Sequence, residues 1–485
     1  MNIFYTLDFK KSKYKYKYQA MYHFIRELIL NGKVRMDTRL PSSREMAQKY
    51  NVNRNTVKQV YEMLIADGYV STVEGSGTFV AYSPSKLNLI EKSSTNLRLS
   101  RWSKRIPINR PKENGKKAAI DFGGAGFSPN LTHFPIQDWK KTVYEATREV
   151  NFLTEIPGYD AMGLIQLREA ISGYIQRTRG MNIDPSQIII INGVMQGIGI
   201  LSQLLIDEGD KVVVEEPSFS SIQGNFITTG ATLLSAPIEP DGFSVKDWDS
   251  QLIYVTPSNQ FPTGKVMSLE QRLNLLQWAK KKNAIIIEDD YDSEFRRKGR
   301  PIEPLKVLDY EDRVVFLGTF AKSILPHLRI GYAILPNDLV DEFLRARNLF
   351  GAYTTSGLEQ MAIALFIKSG KLERHLRRMN RIYSLKYEVF MNAIKSHLPD
   401  AFEWADTDAG LHLFASWCHS SEQYKEFTKE CLVRGVKWES ADEYYLSPPK
   451  QPKAIFGFSH LSEQEIEVAV RLMGEAFEKT IEKPV

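Results

Sequence analysis

The 485-residue sequence predicts an α/β protein built from more than one folded part. Two patterns carry that expectation. From residue 118 onward, short β-branched runs alternate with longer amphipathic stretches, as in a mostly parallel sheet covered by helices. Before residue 83, helical periods are separated by capping and turn residues and end in a glycine-rich hairpin. Charge divides the chain at the same place. Residues 1–82 carry +6 and residues 83–117 carry +8, which leaves −9 for the rest of an overall +5. A basic front on an acidic body suggests nucleic acid or an anionic surface as the partner of the front.

Composition excludes several classes. With 43% hydrophobic and 25% charged residues the chain is neither disordered nor fibrous. Its two cysteines, Cys418 and Cys431, match no zinc spacing and make no disulfide framework, so no metal is expected and a reducing cytoplasm is the expected compartment. No run approaches the ~18 apolar residues of a membrane span, and the N-terminus lacks a signal-peptide core, so no membrane partner is expected.

The first domain is expected over residues 14–82. Met21, Phe24, Ile25, Leu28 and Ile29 recur at helical spacing within Tyr18–Asn31. Ser42 with Glu45 three residues later is a capping box that starts a second helix, running to about Tyr50. Asn51-Val52 is a tight turn, and Asn53 caps a third helix whose inner face is Val57, Val60, Tyr61 and Leu64. Its outer, early positions are Arg54, Asn55, Thr56 and Lys58, side chains suited to base edges and phosphates. Gly68 ends that helix. Tyr69–Val73 and Thr78–Val80 then flank Glu74-Gly75-Ser76-Gly77, two strands around a glycine tip that can approach a sugar-phosphate backbone closely.

Residues 83–117 are polar, basic and proline-punctuated, and are expected to be a linker; the alternative is a segment docked on the body with Trp102 and nearby leucines as anchors. The body, 118–485, is expected to hold strands at Gln187–Asn192, Lys211–Glu215, Leu252–Thr256, Ala284–Asp289 and Val314–Leu317, with a smaller α+β subdomain over roughly 380–480.

Chemistry gathers beyond the ends of these strands, where open α/β sheets bind ligands. Gly318-Thr319-Phe320-Ala321-Lys322-Ser323 places one lysine past a buried strand, and partial desolvation there favours a Schiff-base nucleophile. Asp289 and Tyr291 close another strand with a carboxylate, the group that holds a pyridinium nitrogen protonated, and a phenol. Thr256–Gly264 follows a third. Ile191-Asn192-Gly193-Val194-Met195 follows a fourth and opens a helix whose free N–H groups suit a phosphate.

The string Leu40–Glu45, Asn53–Val57, Gly68-Tyr69 and Gly75–Val80 closely resembles the winged helix-turn-helix of the GntR family of bacterial repressors. That resemblance implies an operator in double-stranded DNA contacted by Arg44, Arg54, Asn55, Thr56 and Lys58, with Gly75 and Gly77 in the wing. The strand-end motifs, in their order, resemble the fold-type I aminotransferases, which use pyridoxal 5′-phosphate. By that resemblance Lys322 is the Schiff-base lysine, Asp289 pairs with the ring nitrogen, Tyr291 reaches the ring hydroxyl and Phe219 stacks on the ring. Thr319, Arg329 and the backbone at Val194 and Met195 hold the phosphate, and Tyr159 reaches the phosphate of a partner subunit.

Head, linker and body together resemble the MocR/GabR subfamily of GntR-type regulators, as do Asp289–Phe295, Gln260-Phe261-Pro262 and Ala409–His412. The implied protein is a cytoplasmic bacterial homodimer, joined head-to-tail through its body, that senses an amine, an amino-acid derivative or a B6-type compound. The alternative is an active aminotransferase with an appended DNA-binding head.

Three departures stand out. Phe261 replaces the asparagine usual before Pro-Thr-Gly, so Tyr291 or Gln260 takes over its ring contact. Val194 and Met195 replace the usual Ser/Thr-Gln of the phosphate turn. The substrate-carboxylate arginines align to His460 and Ser221, which makes these two the effector candidates and removes both clamps.

Overall fold

The computed structural model describes residues 3–82, 98–107, 118–123, 127–149, 161–239, 242–299, 302–350 and 356–481. The chain forms two compact units, Met1–Arg98 and Leu99–Val485.

In the first unit α1 (Lys17–Leu30), α2 (Ser43–Tyr50) and α3 (Arg54–Ala66) precede a hairpin of β1 (Val70–Val73) and β2 (Gly77–Val80), paired Val70↔Val80 through Val73↔Gly77. The capping box forms: Glu45 N–H donates to Ser42 Oγ at 3.2 Å, and Ser42 N–H to Glu45 Oε2 at 2.7 Å. Asn53 Oδ1 accepts from Asn55 N–H at 2.8 Å and starts α3. Asn51 adopts φ 46°, which turns α2 into α3. Met21, Ile25, Ile29, Met46, Val57, Val60 and Leu64 are fully buried between the helices.

This unit begins before the expected residue 14. Two short turns, Ile3–Tyr5 and Phe9–Lys11, lie against it. Phe4 is buried, and the Tyr50 hydroxyl donates to Phe4 O at 2.7 Å and accepts from Leu7 N–H at 3.0 Å. The Ile3-Phe4-Tyr5 patch is too short to fold alone, but α2 offers it an aromatic surface.

The expected linker also divides. Within it, α4 (Arg101–Arg105) packs on the body, while 83–97 and 108–117 lie outside the described residues. Trp102 is not the anchor, being 51% exposed. Arg105 is: its guanidinium donates to Thr229 O at 3.1 Å and pairs with Glu208. A Cβ on Gly230 would sit 2.7 Å from that guanidinium, so the glycine leaves room for it. Pro107 lies against Gly224.

The body holds β3 (Ile120–Asp121), α5 (Ile136–Glu149), α6 (Ile165–Arg179), β4 (Ile188–Ile191), α7 (Val194–Leu205), β5 (Lys211–Glu216), α8 (Ser220–Thr229), β6 (Thr232–Glu239), β7 (Gly242–Phe243) and β8 (Leu252–Val255). Then follow α9 (Leu269–Lys282), β9 (Ile285–Asp289), β10 (Val314–Thr319), β11 (Gly331–Ile334), α10 (Asn337–Phe350), α11 (Gly357–Lys368) and α12 (Lys371–His397). The subdomain adds β12 (Phe402–Trp404), β13 (His412–Trp417), α13 (Ser421–Val433), β14 (Val436–Lys437), β15 (Glu439–Ser440), β16 (Lys453–Gly457) and α14 (Glu463–Ile481).

The main sheet has eight strands in the order β4-β11-β10-β9-β8-β5-β6-β7. Only β7 and β11 run against the others. All five expected strands are present, each within one or two residues of its expected limits. The pattern did not announce β11, which pairs antiparallel with both β10 and β4 (Thr319↔Gly331, Gly331↔Ile191). Its direction brings the start of β11 to the edge where β4 and β10 end. The smaller sheet, β12-β13-β16-β15, is backed by α12 and α14, through Phe390 on Phe456 and Phe477 on Trp417.

Gly474 marks the closest crossing of those two helices. A Cβ there would lie 2.4 Å from the carbonyl oxygen of His397. Gly474→Ala is therefore expected to destabilise the body by roughly 1–3 kcal/mol through overpacking, read as a lower melting point of the purified chain.

Candidate functional site

At the carboxyl edge of the sheet the ends of β4, β5, β8, β9 and β10 lie side by side. Lys322 follows β10. Its Nζ sits 2.8 Å from Oδ1 of Asp292 and 3.9 Å from the centre of the Tyr291 ring. Asp289, the last residue of β9, is buried, and its Oδ2 accepts from the Tyr254 hydroxyl of β8 at 2.8 Å. Burial pushes the Asp289 carboxyl up to about 7, against the opposing pull of the Tyr254 hydrogen bond. A cationic ring nitrogen beside it would restore the carboxylate.

Phe219 precedes α8 at the end of β5. Its ring stacks face to face on Phe261, with centroids 3.6 Å apart, and Tyr291 meets both edge-on. Phe261 is 2% exposed, so the accessible surface of Phe219 is what Phe261 leaves uncovered. Gln260 does not aim its amide at a ring ligand. Its nitrogen donates to Pro217 O, Phe261 O and Glu215, and its oxygen accepts from Thr263. It is a scaffold for the loop.

Val194 and Met195 open α7 just after Gly193, which adopts φ 76°. The first N–H groups of a helix have no partner within it and favour an anion. The Arg329 guanidinium lies over this turn, 3.2 Å from where a Gly193 Cβ would be, and has no carboxylate partner among the described residues. Arg329 reaches it because it lies two residues before the antiparallel β11, in a left-handed conformation (φ 51°). Thr319 Oγ1 accepts from Ala321 N–H at 3.1 Å and shapes the turn into Lys322.

These residues form one cluster that suits a flat ring carrying a phosphate and an aldehyde. The buried Tyr291 hydroxyl makes no well-formed hydrogen bond among the described residues, which leaves a group for a ring substituent. Tyr159 lies outside the described residues.

His460 lies past the end of β16, its carbonyl accepting from Asn130 at 3.3 Å and its ring near Asp121 and Lys386. Ser221 is exposed on the first turn of α8. On β16 it is Ile455 that joins the apolar cluster of Phe414, Phe127 and Tyr444, and Tyr444 in turn edges Phe261. Arg297 is spent on the carbonyls of Thr407, Ala409 and Gly410.

Sequence reasoning missed Tyr254, Asp292 and His412. Tyr254 had a signal, a phenol inside an otherwise apolar strand. His412 is buried, with Nε2 2.9 Å from Pro262 O. A carbonyl only accepts, so that nitrogen carries the proton. Burial holds the ring neutral, at about 3.

In the head, Arg44, Arg54, Asn55 and Lys58 are exposed and Thr56 half-buried. Arg54 Nε donates to Ser43 Oγ at 3.2 Å, which joins the starts of α2 and α3. Gly75 (φ 76°) has open space around it at the wing tip. Gly77 (φ 120°) lies under Arg39, whose Nε would meet its Cβ at 2.9 Å. Arg39, unassigned from sequence, thus adds a cation at the wing base. Among the described residues no side-chain cluster suits a metal, and no helix is long and apolar enough to cross a membrane.

The comparisons with known proteins follow the same division. Residues 124–470 match the family model for aminotransferase class I and II, and residues 17–80 match that for bacterial regulatory proteins of the gntR family. The chain is 34% identical to the probable rhizopine catabolism regulatory protein MocR of Rhizobium meliloti, over 95% of this chain and 93% of that one. It is 27% identical to the pyridoxine biosynthesis transcriptional regulator PdxR of Corynebacterium glutamicum, over 91% and 92%. Among solved structures, the kynurenine aminotransferase of Pyrococcus horikoshii superposes with a TM-score of 0.69 at 21% identity, covering 81% of this chain and 98% of that one, a likeness of fold.

One buried acid of the site makes a test of its electrostatics. Burial raises Glu215 from 4.5 to about 7, against hydrogen bonds from Thr256 and Gln260. Because the folded value lies above the unfolded one, its contribution is full below about 4.5 and is lost as pH rises through about 7. Glu215→Gln keeps an acceptor and removes the titration. Its melting point is expected to fall less than the parent's between pH 5 and pH 8, a difference on the order of 2–3 kcal/mol in stability.

Proposed function

This chain belongs to the MocR/GabR subfamily of GntR-family regulators, a GntR head on a class I and II aminotransferase body with pyridoxal 5′-phosphate as its cofactor, and from that premise we propose that it is a cytoplasmic, homodimeric transcriptional regulator whose operator affinity depends on an amine or a B6-type compound bound in the body. The observation that carries this reading is the convergence at one sheet edge of the Lys322 amine, the buried Asp289 carboxylate and the anion-binding start of α7, in the same chain as a solvent-facing α3 bearing Arg54 and Lys58.

Each residue has a definite task. Lys322 is the amine that attaches the cofactor. Asp289, oriented by Tyr254, holds a proton on the ring nitrogen. Phe219, braced by Phe261, covers one ring face. Tyr291 offers its phenol to the ring hydroxyl. Val194, Met195, Thr319 and Arg329 take the phosphate. When bound, the cofactor supplies an aldehyde that links covalently to primary amines and a ring that withdraws electrons.

The effector-side surface does not favour turnover of ordinary amino acids. Ile455 stands where β16 faces the aromatic cluster, Arg297 is committed to carbonyls, and His460 and Ser221 give no carboxylate clamp. A regulator that binds an amine and lacks a clamp for its carboxylate is the better fit than an aminotransferase with a head.

A segment of the linker also touches a helix of the site. α8 begins directly after Phe219, and the segment 98–107 docks on α8 through Arg105 and Pro107. A shift of the stacking ring would move α8 and the segment docked on it.

Fluorescence anisotropy on DNA from upstream of the chain's own gene tests the reading, with and without pyridoxal 5′-phosphate. Addition of the cofactor, or of an amine to the loaded protein, is expected to change affinity, and Lys322→Ala is expected to abolish that change. Unchanged affinity under both additions overturns the reading. On the same DNA, Arg54→Ala is expected to weaken specific binding by roughly 1–3 kcal/mol. Arg105→Ala is expected to leave cofactor uptake intact and to shrink the ligand-dependent change.

A further inference from the structure

Asp292 has no task in the scheme above, yet it is the residue closest to the reactive amine. Its side chain is fully buried, and Oδ1 lies 2.8 Å from Lys322 Nζ, with the Tyr291 ring 3.9 Å away on another side of the same nitrogen. Asp292 adopts a left-handed conformation, φ 51°, which turns the chain after Tyr291 so that both residues reach Lys322. The backbone here is held in place. Arg179 pairs with Asp290 at 3.0 Å, its guanidinium also contacts Ser293, and Phe295 N–H donates to Asp292 O at 3.0 Å. Burial raises the Asp292 carboxyl and the Lys322 amine beside it pulls the other way, so the charged carboxylate depends on that contact.

We propose that Asp292 stores Lys322 as an ammonium whenever that amine is released, and so biases the site towards exchange with a primary-amine effector and away from transamination. This rests on the sensor reading above. The exchange balances without an outside reagent. The effector enters as R–NH₃⁺; the carbon–nitrogen bond from the cofactor to Lys322 breaks and one to the effector nitrogen forms. The three hydrogens given up by the entering ammonium as its nitrogen becomes the new imine end on Lys322, which leaves as –NH₃⁺ paired with Asp292. Transamination would next need a lone pair on Lys322 to take a proton from the carbon beside the effector nitrogen. An ammonium has none. The same ion pair therefore promotes binding and withholds the base.

Asp292→Asn tests this with little structural cost, because asparagine matches aspartate in size and tolerates the left-handed region. The first readout needs no cofactor. In the chain stripped of pyridoxal phosphate, acetylation of Lys322 by acetic anhydride is followed against pH by peptide mass spectrometry. The variant is expected to label about tenfold faster or more at pH 8, a downward shift of about one unit in the Lys322 titration. Asp292→Glu, which keeps the charge, is expected to label slowly like the parent. The second readout titrates the loaded protein with methylamine and follows the absorbance change on exchange; half-saturation is expected to rise about tenfold in Asp292→Asn. A purely structural role for Asp292 would lower the melting point and leave both titrations where they were. Equal labelling profiles in a folded variant overturn the proposal. A chain that takes up no pyridoxal phosphate overturns the underlying reading and the exchange role with it, even where the labelling arm succeeds.

Discussion

The cost of burying carboxylates organises the edge of the sheet where the site lies. Glu215, Glu288, Asp289, Asp290 and Asp292 are all buried at or just beyond strand ends. An ionised acid in such a place is unfavourable unless donors surround it. Each one here has found its own. Glu215 accepts from Thr256 and Gln260, Glu288 from the backbone of Leu305 and Lys306, and Asp289 from Tyr254. Asp290 pairs with Arg179 and Asp292 with Lys322. Because these partners come from different loops and strands, satisfying the acids fixes the loops against one another. The site's geometry is the by-product of that requirement.

Antiparallel β11 is the second constraint. Had it run with its neighbours, its start would lie at the far edge of the sheet and Arg329 with it. Running the other way, it delivers Arg329 to the Gly193 turn, and Gly331 sits level with Ile191 and Thr319 in the ladder. Gly331 and Gly318 let the three chains approach this closely. A Cβ on Gly331 would lie 2.8 Å from the Gly318 carbonyl, and one on Gly318 would lie 2.3 Å from the Tyr332 ring.

The parts that were legible in the sequence are those set by neighbouring residues. The Ser42–Glu45 capping box, the Asn53 cap and the glycine tip of the wing are local, and each is found where the residues put it. The apolar runs of the strands are equally plain, because a strand covered on both faces has no polar side to disguise it. Contacts across the chain were not legible. Residues 3–11 fold because Tyr50 receives them, and 98–107 dock because Gly230 leaves room for Arg105. Tyr254 and Asp289 meet only through the register of β8 with β9. His460 shows the converse case. A motif offset counted along the chain carried the effector candidate past the end of β16, whereas the side chain that faces the aromatic cluster is set by alternation within the strand, at Ile455.

The same residues can serve an enzyme or a sensor, and the difference lies in what holds the ligand and what holds the proton. A transaminase must grip its substrate's carboxylate to align the bond that loses a proton, and it must then present a neutral lysine to take that proton. Here Ile455 joins an apolar cluster with Phe414 and Tyr444, and Arg297 is tied to carbonyls of its own chain. Lys322, meanwhile, has a buried carboxylate at 2.8 Å. On the sensor reading both features would lower turnover, and neither would lower the affinity of an amine. A body that binds and does not turn over keeps its ligand for as long as the concentration outside supports it, which is the property a transcriptional signal needs.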